Sequence, residues 1–211
     1  AHPGDETEEP VQSLNYDPYY LDDPELKTGK HRTVISLPSF LGSVIQYARP
    51  SDLKLELNEH FRQSHPEIDP TMTLSKIRNA KTKLIAIGES CDLELSSVAK
   101  AFCYFEKLIL KNLVTKSNRK LVAATKVNEP KGSGYGRLLE MIEKHLGISS
   151  KDVRDHEFAI FASLEFNLYP PKREFMPHFE RIFLTTDYNN IQEYLGDSAF
   201  FLEVGDARDA S

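Results

Sequence analysis

A chain of 211 residues with 40% hydrophobic content can bury the core of one domain and still carry extensions. It has no uncharged apolar run of about 18 residues, so no membrane-spanning helix is expected. Its two cysteines, Cys91 and Cys103, have no companion pair, which argues against a disulfide scaffold or zinc knuckle and fits a reducing compartment. The net charge of −6 is unevenly spread, with eight acidic and two basic side chains in residues 1–30, five and twelve in 76–131, and six and one in 187–211. A basic middle attracts nucleic acid or an acidic protein surface; Lys-rich solvated helix faces are the plainer reading.

The first residue is Ala1 rather than Met, which points to a processed or partial chain, and Ala1 to Pro10 is acidic with no apolar stretch, unlike a secretory signal. Residues 1–33 read as an acidic, largely extended or disordered segment whose aromatics Tyr16, Tyr19 and Tyr20 could dock on the domain. Residues 34–72 hold a short apolar strap, Val34 to Tyr47, interrupted by Pro38. A helix follows from Asp52 to about Gln63, capped by Ser51 and ended by Pro66 and Pro70.

Residues 73–170 carry five closely spaced helical patterns. Leu74, Ile77, Leu84, Ile85 and Ile87 mark the first, with Gly88 near its end. In the second, from about Glu94 to Leu110, Leu95, Val98, Phe102, Phe105 and Ile109 recur at three- and four-residue steps. A short third covers about Asn118 to Val127, and Pro130 and three glycines break the chain. A fourth runs from about Tyr135 to His145 and stops at Gly147; Ser149 and Asp152 then resemble a capping box. The fifth runs to about Leu168. Val153, Ile160, Phe161, Leu164 and Leu168 form one stripe, and Phe158, Ala159, Ala162 and Phe166 a second, so the helix is expected at the centre of a bundle. Pro170 and Pro171 end it. Residues 171–211 contain a helix from about Arg173 to Leu184, a weak one near Ile191 to Leu195 and an acidic tail. Strand-like alternation is nearly absent, so the fold class expected is all-α.

Catalytic signals are poor, and neither an enzyme nor a cofactor or metal site is expected. His156 precedes Glu157, but no second His stands at metal-ligand spacing. Gly132-Ser133-Gly134-Tyr135-Gly136 lacks the strand and the Gly-Lys-Ser/Thr ending of a phosphate loop and reads as an interhelix loop. Cys103 lies on an apolar helix face, as a buried structural cysteine does. Glu157 sits inside the first stripe of the fifth helix, with Val153, Ile160, Phe161 and Leu164 as its helical neighbours. A carboxylate there either reaches solvent past its neighbours or takes a partner, and Lys126 is the candidate.

The pattern Tyr104-Phe105-Glu106-Lys107 resembles the Y-I-D-R stretch in the second helix of a cyclin box. Ala123-Ala124-Thr125-Lys126-Val127-Asn128-Glu129 is similar to the end of its third helix, and His156-Glu157 through Leu164-Glu165-Phe166-Asn167-Leu168 and Pro170 to its fifth. Asn15-Tyr16-Asp17-Pro18, Leu21-Asp22-Asp23-Pro24, Arg49-Pro50-Ser51-Asp52-Leu53-Lys54, Leu74-Ser75-Lys76-Ile77-Arg78, Asn118-Arg119-Lys120-Leu121 and Met176-Pro177-His178 resemble the C-terminal region of the Cables proteins, named as substrates of a cyclin-dependent kinase and the Abl tyrosine kinase. The resemblance spans about Asn15 to Phe183. It implies a single cyclin-like box of five helices, preceded by an N-terminal helix and an extended acidic segment. It also implies an adaptor that binds a cyclin-dependent kinase and links it to tyrosine-kinase control of the cell cycle, in nucleus and cytoplasm. Lys126 and Glu157 match the Lys–Glu pair that touches the kinase's regulatory helix, and Phe158 and Phe161 would add apolar area, with core packing the plainer role of both.

The chain departs from the cyclin pattern in three places: its third helix is shorter by roughly one turn, it has no Trp for substrate docking, and too few residues follow Pro171 for a second box. Tyr47-Ala48-Arg49-Pro50 matches the Y-x-x-P preference associated with Abl-type kinases, beside the plainer reading of a packed tyrosine. A cyclin-fold module binding nucleic acid or a transcription complex is the alternative function.

Overall fold

The computed structural model describes residues 16–21, 32–37, 40–45, 49–124, 134–164 and 169–186. Strands β1 (Arg32–Leu37) and β2 (Phe40–Ile45) pair antiparallel, with Leu37 opposite Phe40 and Arg32 opposite Ile45. Thr33, Val34, Ile35, Val44 and Ile45 are β-branched residues suited to a pleated surface. Among the described residues seven helices follow: α1 (Pro50–Ser64), α2 (Leu74–Cys91), α3 (Leu95–Leu110), α4 (Arg119–Ala124), α5 (Tyr135–Leu146), α6 (Ser150–Ser163) and α7 (Lys172–Phe183). The bundle is all-helical, as expected; the hairpin that precedes it is a feature the periodicity did not show.

Helix ends follow local chemistry. Ser51 does not cap α1. Pro50 occupies the first helical position after Arg49, because its fixed φ and missing N–H suit that place. Gly88 lies near the end of α2, as expected, but does not close it: the helix runs on to Cys91 and is closed by Asp92 in the left-handed region at φ 55°. Gly88 instead lets α3 approach, since a Cβ there would stand 2.6 Å from Val98 Cγ2. Gly147, at φ 67°, closes α5 as expected. Ser149 caps α6: its Oγ accepts from the Asp152 amide at 3.1 Å and donates to Asp152 Oδ2 at 2.7 Å.

The hub of the bundle is α3. It is buried on all sides, from Val98 and Ala101 through Phe102, Phe105 and Cys103 to Leu108 and Ile109. It packs most extensively along α7, and α2 packs against α4 and α5 around the same core. Burial of Phe61, Leu74, Ile77, Leu84, Phe105 and Ile142 supplies much of the driving force, at roughly 1.5–3 kcal/mol for each large apolar side chain.

The expectation that the fifth helix of the box lies at the bundle's centre is overturned. Within α6 only Val153 is buried, and Phe158 is 72% exposed, so it is not a core residue. Phe161 is half-buried. The helix lies at the edge, against α4 and α5. Its described part ends at Ser163, capped by Leu164, and the expected continuation toward Leu168 lies outside the described residues. The short third helix appears as the six residues of α4, with Val122, Ala123 and Ala124 buried.

Candidate functional site

Two features of the bundle hold chemistry, one inside it and one on its edge. Inside, Glu106 of α3 is fully buried and accepts from the Lys81 ammonium of α2 through Oε1. Its Oε2 accepts from the Tyr16 hydroxyl at 2.5 Å and lies 3.5 Å from His178 Nε2 of α7. The Tyr16 oxygen is 2.6 Å from His178 Nε2, and Arg181 is 2.7 Å from His178 Nδ1. A guanidinium has only donors, so Nδ1 accepts and the imidazole proton sits on Nε2. The bonds then run in one direction, from Arg181 to His178, to Tyr16, to Glu106, which Lys81 holds from the far side.

Aromatic rings close this site. Lys81 Nζ lies 5.3 Å from the Phe102 ring centroid, and Lys107 Nζ lies 5.4 Å from that of Tyr16. Burial, with the Glu106 carboxylate alongside, pushes the Tyr16 phenol far above its ordinary value. One turn back on α3, burial pushes the Cys103 thiol up to about 12, against the Lys107 ammonium, which pulls it down. Lys107 also pairs with Glu174 of α7 at 2.5 Å. Cys103 is thus the buried structural cysteine that the sequence indicates. Tyr16, Lys81, Glu106 and His178 are buried, Lys107 and Arg181 partly so, and the arrangement ties residues 16–21, α2, α3 and α7 together.

On the edge, α6 carries Glu157, half-buried, next to exposed Phe158 and Ala159 and partly exposed Ile160. It packs against α4, whose described part stops at Ala124, two residues before Lys126. Lys126 and Tyr47 both lie outside the described residues. Val153 and Leu164 anchor the helix to the core, while Phe158 stays 72% exposed, and aromatic residues are enriched at partner-binding faces.

The interior cluster was missed by sequence reasoning, although a usable signal was present. Glu106 has Phe102, Cys103 and Ile109 as helical neighbours, and Lys81 has Ile77, Leu84 and Ile85. A charge set in an apolar stripe is the criterion that singled out Glu157, and it applies more strictly to this pair. Among the described residues, no helix is long and apolar enough to cross a membrane, and no group of three His, Cys, Asp or Glu side chains is arranged to hold a metal ion.

No protein-family model matches the chain, and no solved structure matches it significantly. Two human proteins do. "CDK5 and ABL1 enzyme substrate 2" is 38% identical over 177 residues, 81% of this chain and 37% of its own length. "CDK5 and ABL1 enzyme substrate 1" is 40% identical over 177 residues, 80% of this chain and 28% of its own length. The chain belongs to the Cables family. The mouse "CDK5 and ABL1 enzyme substrate 2" is 37% identical over 177 residues. The chain therefore spans about a third of the length of the Cables proteins it matches. Their names describe substrates of enzymes rather than enzymes.

Proposed function

We propose that this chain is a cyclin-like regulatory and adaptor module that binds a cyclin-dependent kinase and links it to tyrosine-kinase control of the cell cycle, in nucleus and cytoplasm. The observation that carries this reading is α6, a helix with apolar residues on two sides on which Phe158 is 72% exposed beside half-buried Glu157. Such a helix offers a partner apolar area together with a carboxylate able to receive polar groups of a docked helix. The names of the relatives, which pair a cyclin-dependent kinase with a tyrosine kinase, support the choice of partner. Lys126 and Glu157 are the polar contacts proposed for the kinase, with Phe158 as the apolar one, and Tyr47 is proposed as a site for an Abl-type kinase.

A pull-down with a cyclin-dependent kinase tests this. A folded Lys126→Ala/Glu157→Ala chain, and separately Phe158→Asp, should lose capture. Unchanged capture by both would remove α6 from the interface.

One observation favours the alternative of nucleic-acid binding. The Lys76 ammonium is held below its ordinary value by burial and by the neighbouring Lys116 and Arg119 cations, so positive charge is concentrated there. A salt titration with duplex DNA decides it, because each phosphate contact steepens the loss of affinity with salt.

A further inference from the structure

Residues Tyr16 to Leu21 form a strap across the bundle. Its two ends, Tyr16 and Leu21, are buried, at 7% and 1% exposure, whereas Tyr19 and Tyr20 between them are 52% and 41% exposed. Four ties hold it down. The Tyr16 hydroxyl enters the interior chain through Glu106 and His178. Arg181 donates to the Pro18 carbonyl at 2.8 Å, and His65 Nε2 lies 2.9 Å from the Tyr20 carbonyl oxygen. Finally, the Tyr20 hydroxyl donates to Glu67 Oε1 at 2.9 Å. Only this last tie is both exposed and made through a phenol oxygen.

We propose that Tyr20 is a phosphorylation site for a tyrosine kinase and that its modification unlatches the strap. The inference rests on the tyrosine-kinase half of the reading above and goes beyond it by naming the residue and the consequence. In the transfer, the Tyr20 phenol oxygen attacks the γ-phosphorus of ATP. The bond to the β–γ bridging oxygen breaks, ADP leaves with that electron pair, and the phenolic proton passes to the kinase's base. The product carries a charge of roughly −1.5 to −2 in place of a donor O–H.

The surroundings are set against that charge. The hydrogen bond to Glu67 already pushes the Tyr20 phenol above its ordinary value, which marks a site unfavourable to an anion. A phosphate there loses the bond to Glu67 and is repelled by its carboxylate. The His65 ring sits edge-on to Tyr20 at 4.6 Å, so displacing the tyrosine also disturbs the ring whose Nε2 holds the strap's backbone.

The two neighbouring tyrosines behave differently. Tyr16 is closed off, with its hydroxyl 2.5 Å from a carboxylate oxygen, so it can be modified only after the strap lifts. The Tyr19 ring lies 5.3 Å from the Arg181 guanidinium, so added negative charge meets a cation there and the strap gains a tie.

The test is to treat the whole chain with Mg-ATP and the catalytic domain of an Abl-type kinase. Sites are mapped by tandem mass spectrometry, and amide hydrogen exchange is followed in residues 16–21. The expected result is phosphate on Tyr20 and exchange in the strap faster by on the order of tenfold, as loss of one charge-assisted bond plus repulsion implies, with α5 unchanged. In a Glu67→Gln chain the same modification should produce a smaller rise. Absence of phosphate on Tyr20 overturns the proposal, and phosphate on Tyr47 in that case leaves the tyrosine-kinase link standing. Unchanged strap exchange after modification, or an equal rise in the Glu67→Gln chain, also overturns it.

Discussion

Replacing Lys81 by Met removes the ammonium from the interior chain while keeping its apolar stem. The Lys81 side chain is 8% exposed and that of Glu106 is 0% exposed, so water cannot take over the lost contact. Glu106 would keep the Tyr16 hydroxyl but lose the Lys81 ammonium. Removing one partner of a buried ion pair costs about 3–5 kcal/mol, a large part of the roughly 5–15 kcal/mol that holds an ordinary domain together. Urea unfolding followed by circular dichroism measures it, with the dependence on denaturant unchanged if only stability has moved. The double variant Lys81→Met/Glu106→Gln should lose less than the sum of the two single changes, by roughly 0.5–3 kcal/mol, because both changes remove the same interaction. If Lys81→Met alone costs less than about 1 kcal/mol, the value of a solvated surface pair, the argument from burial is wrong.

Gly88→Ala gains helix propensity worth about 1 kcal/mol but drives a methyl to 2.6 Å from Val98 Cγ2. Because valine is stiff at χ1, the net result expected in thermal unfolding is destabilisation of roughly 1–3 kcal/mol. Tyr16→Phe removes the strap's buried donor to a carboxylate and should cost about 1.5–3 kcal/mol, with hydrogen exchange rising first in residues 16–21. Burial raises the Cys103 thiol from 9.0 to about 12. The folded chain therefore keeps a proton that the unfolded chain releases, so this stabilisation is complete below pH 9 and declines as pH rises toward 12. An alkaline unfolding series should show that decline, and in Cys103→Ala it should be shallower. A thiol reagent at pH 8 should label half-buried Cys91 well before buried Cys103.

The helices were legible because their apolar residues recur at helical steps, and the spacing in α3 located the buried face that builds the hub. Periodicity cannot, however, distinguish a helix enclosed by the core from one whose second apolar side is offered outward. For that reason α6, the most apolar-looking helix on two sides, belongs at the edge, while α3 with its small residues Ala99 and Ala101 belongs at the centre. The hairpin was hidden by Pro38, which reads as an interruption until two strands are seen on either side of it. Of the site residues, Glu157 was placed on its helix by spacing alone. The interior chain was not foreseen because it joins Tyr16 to Glu106 across 90 positions and to His178 across 162. No local pattern encodes such separations.

The central claim is that the edge helix α6 is the face that meets a kinase. Hydrogen exchange of the chain, alone and mixed with a cyclin-dependent kinase, tests it directly. The account predicts slower exchange in residues 150–163, with α1 and the strap unaffected. Protection confined to α1 or to the segment 116–120, with α6 unchanged, would contradict it.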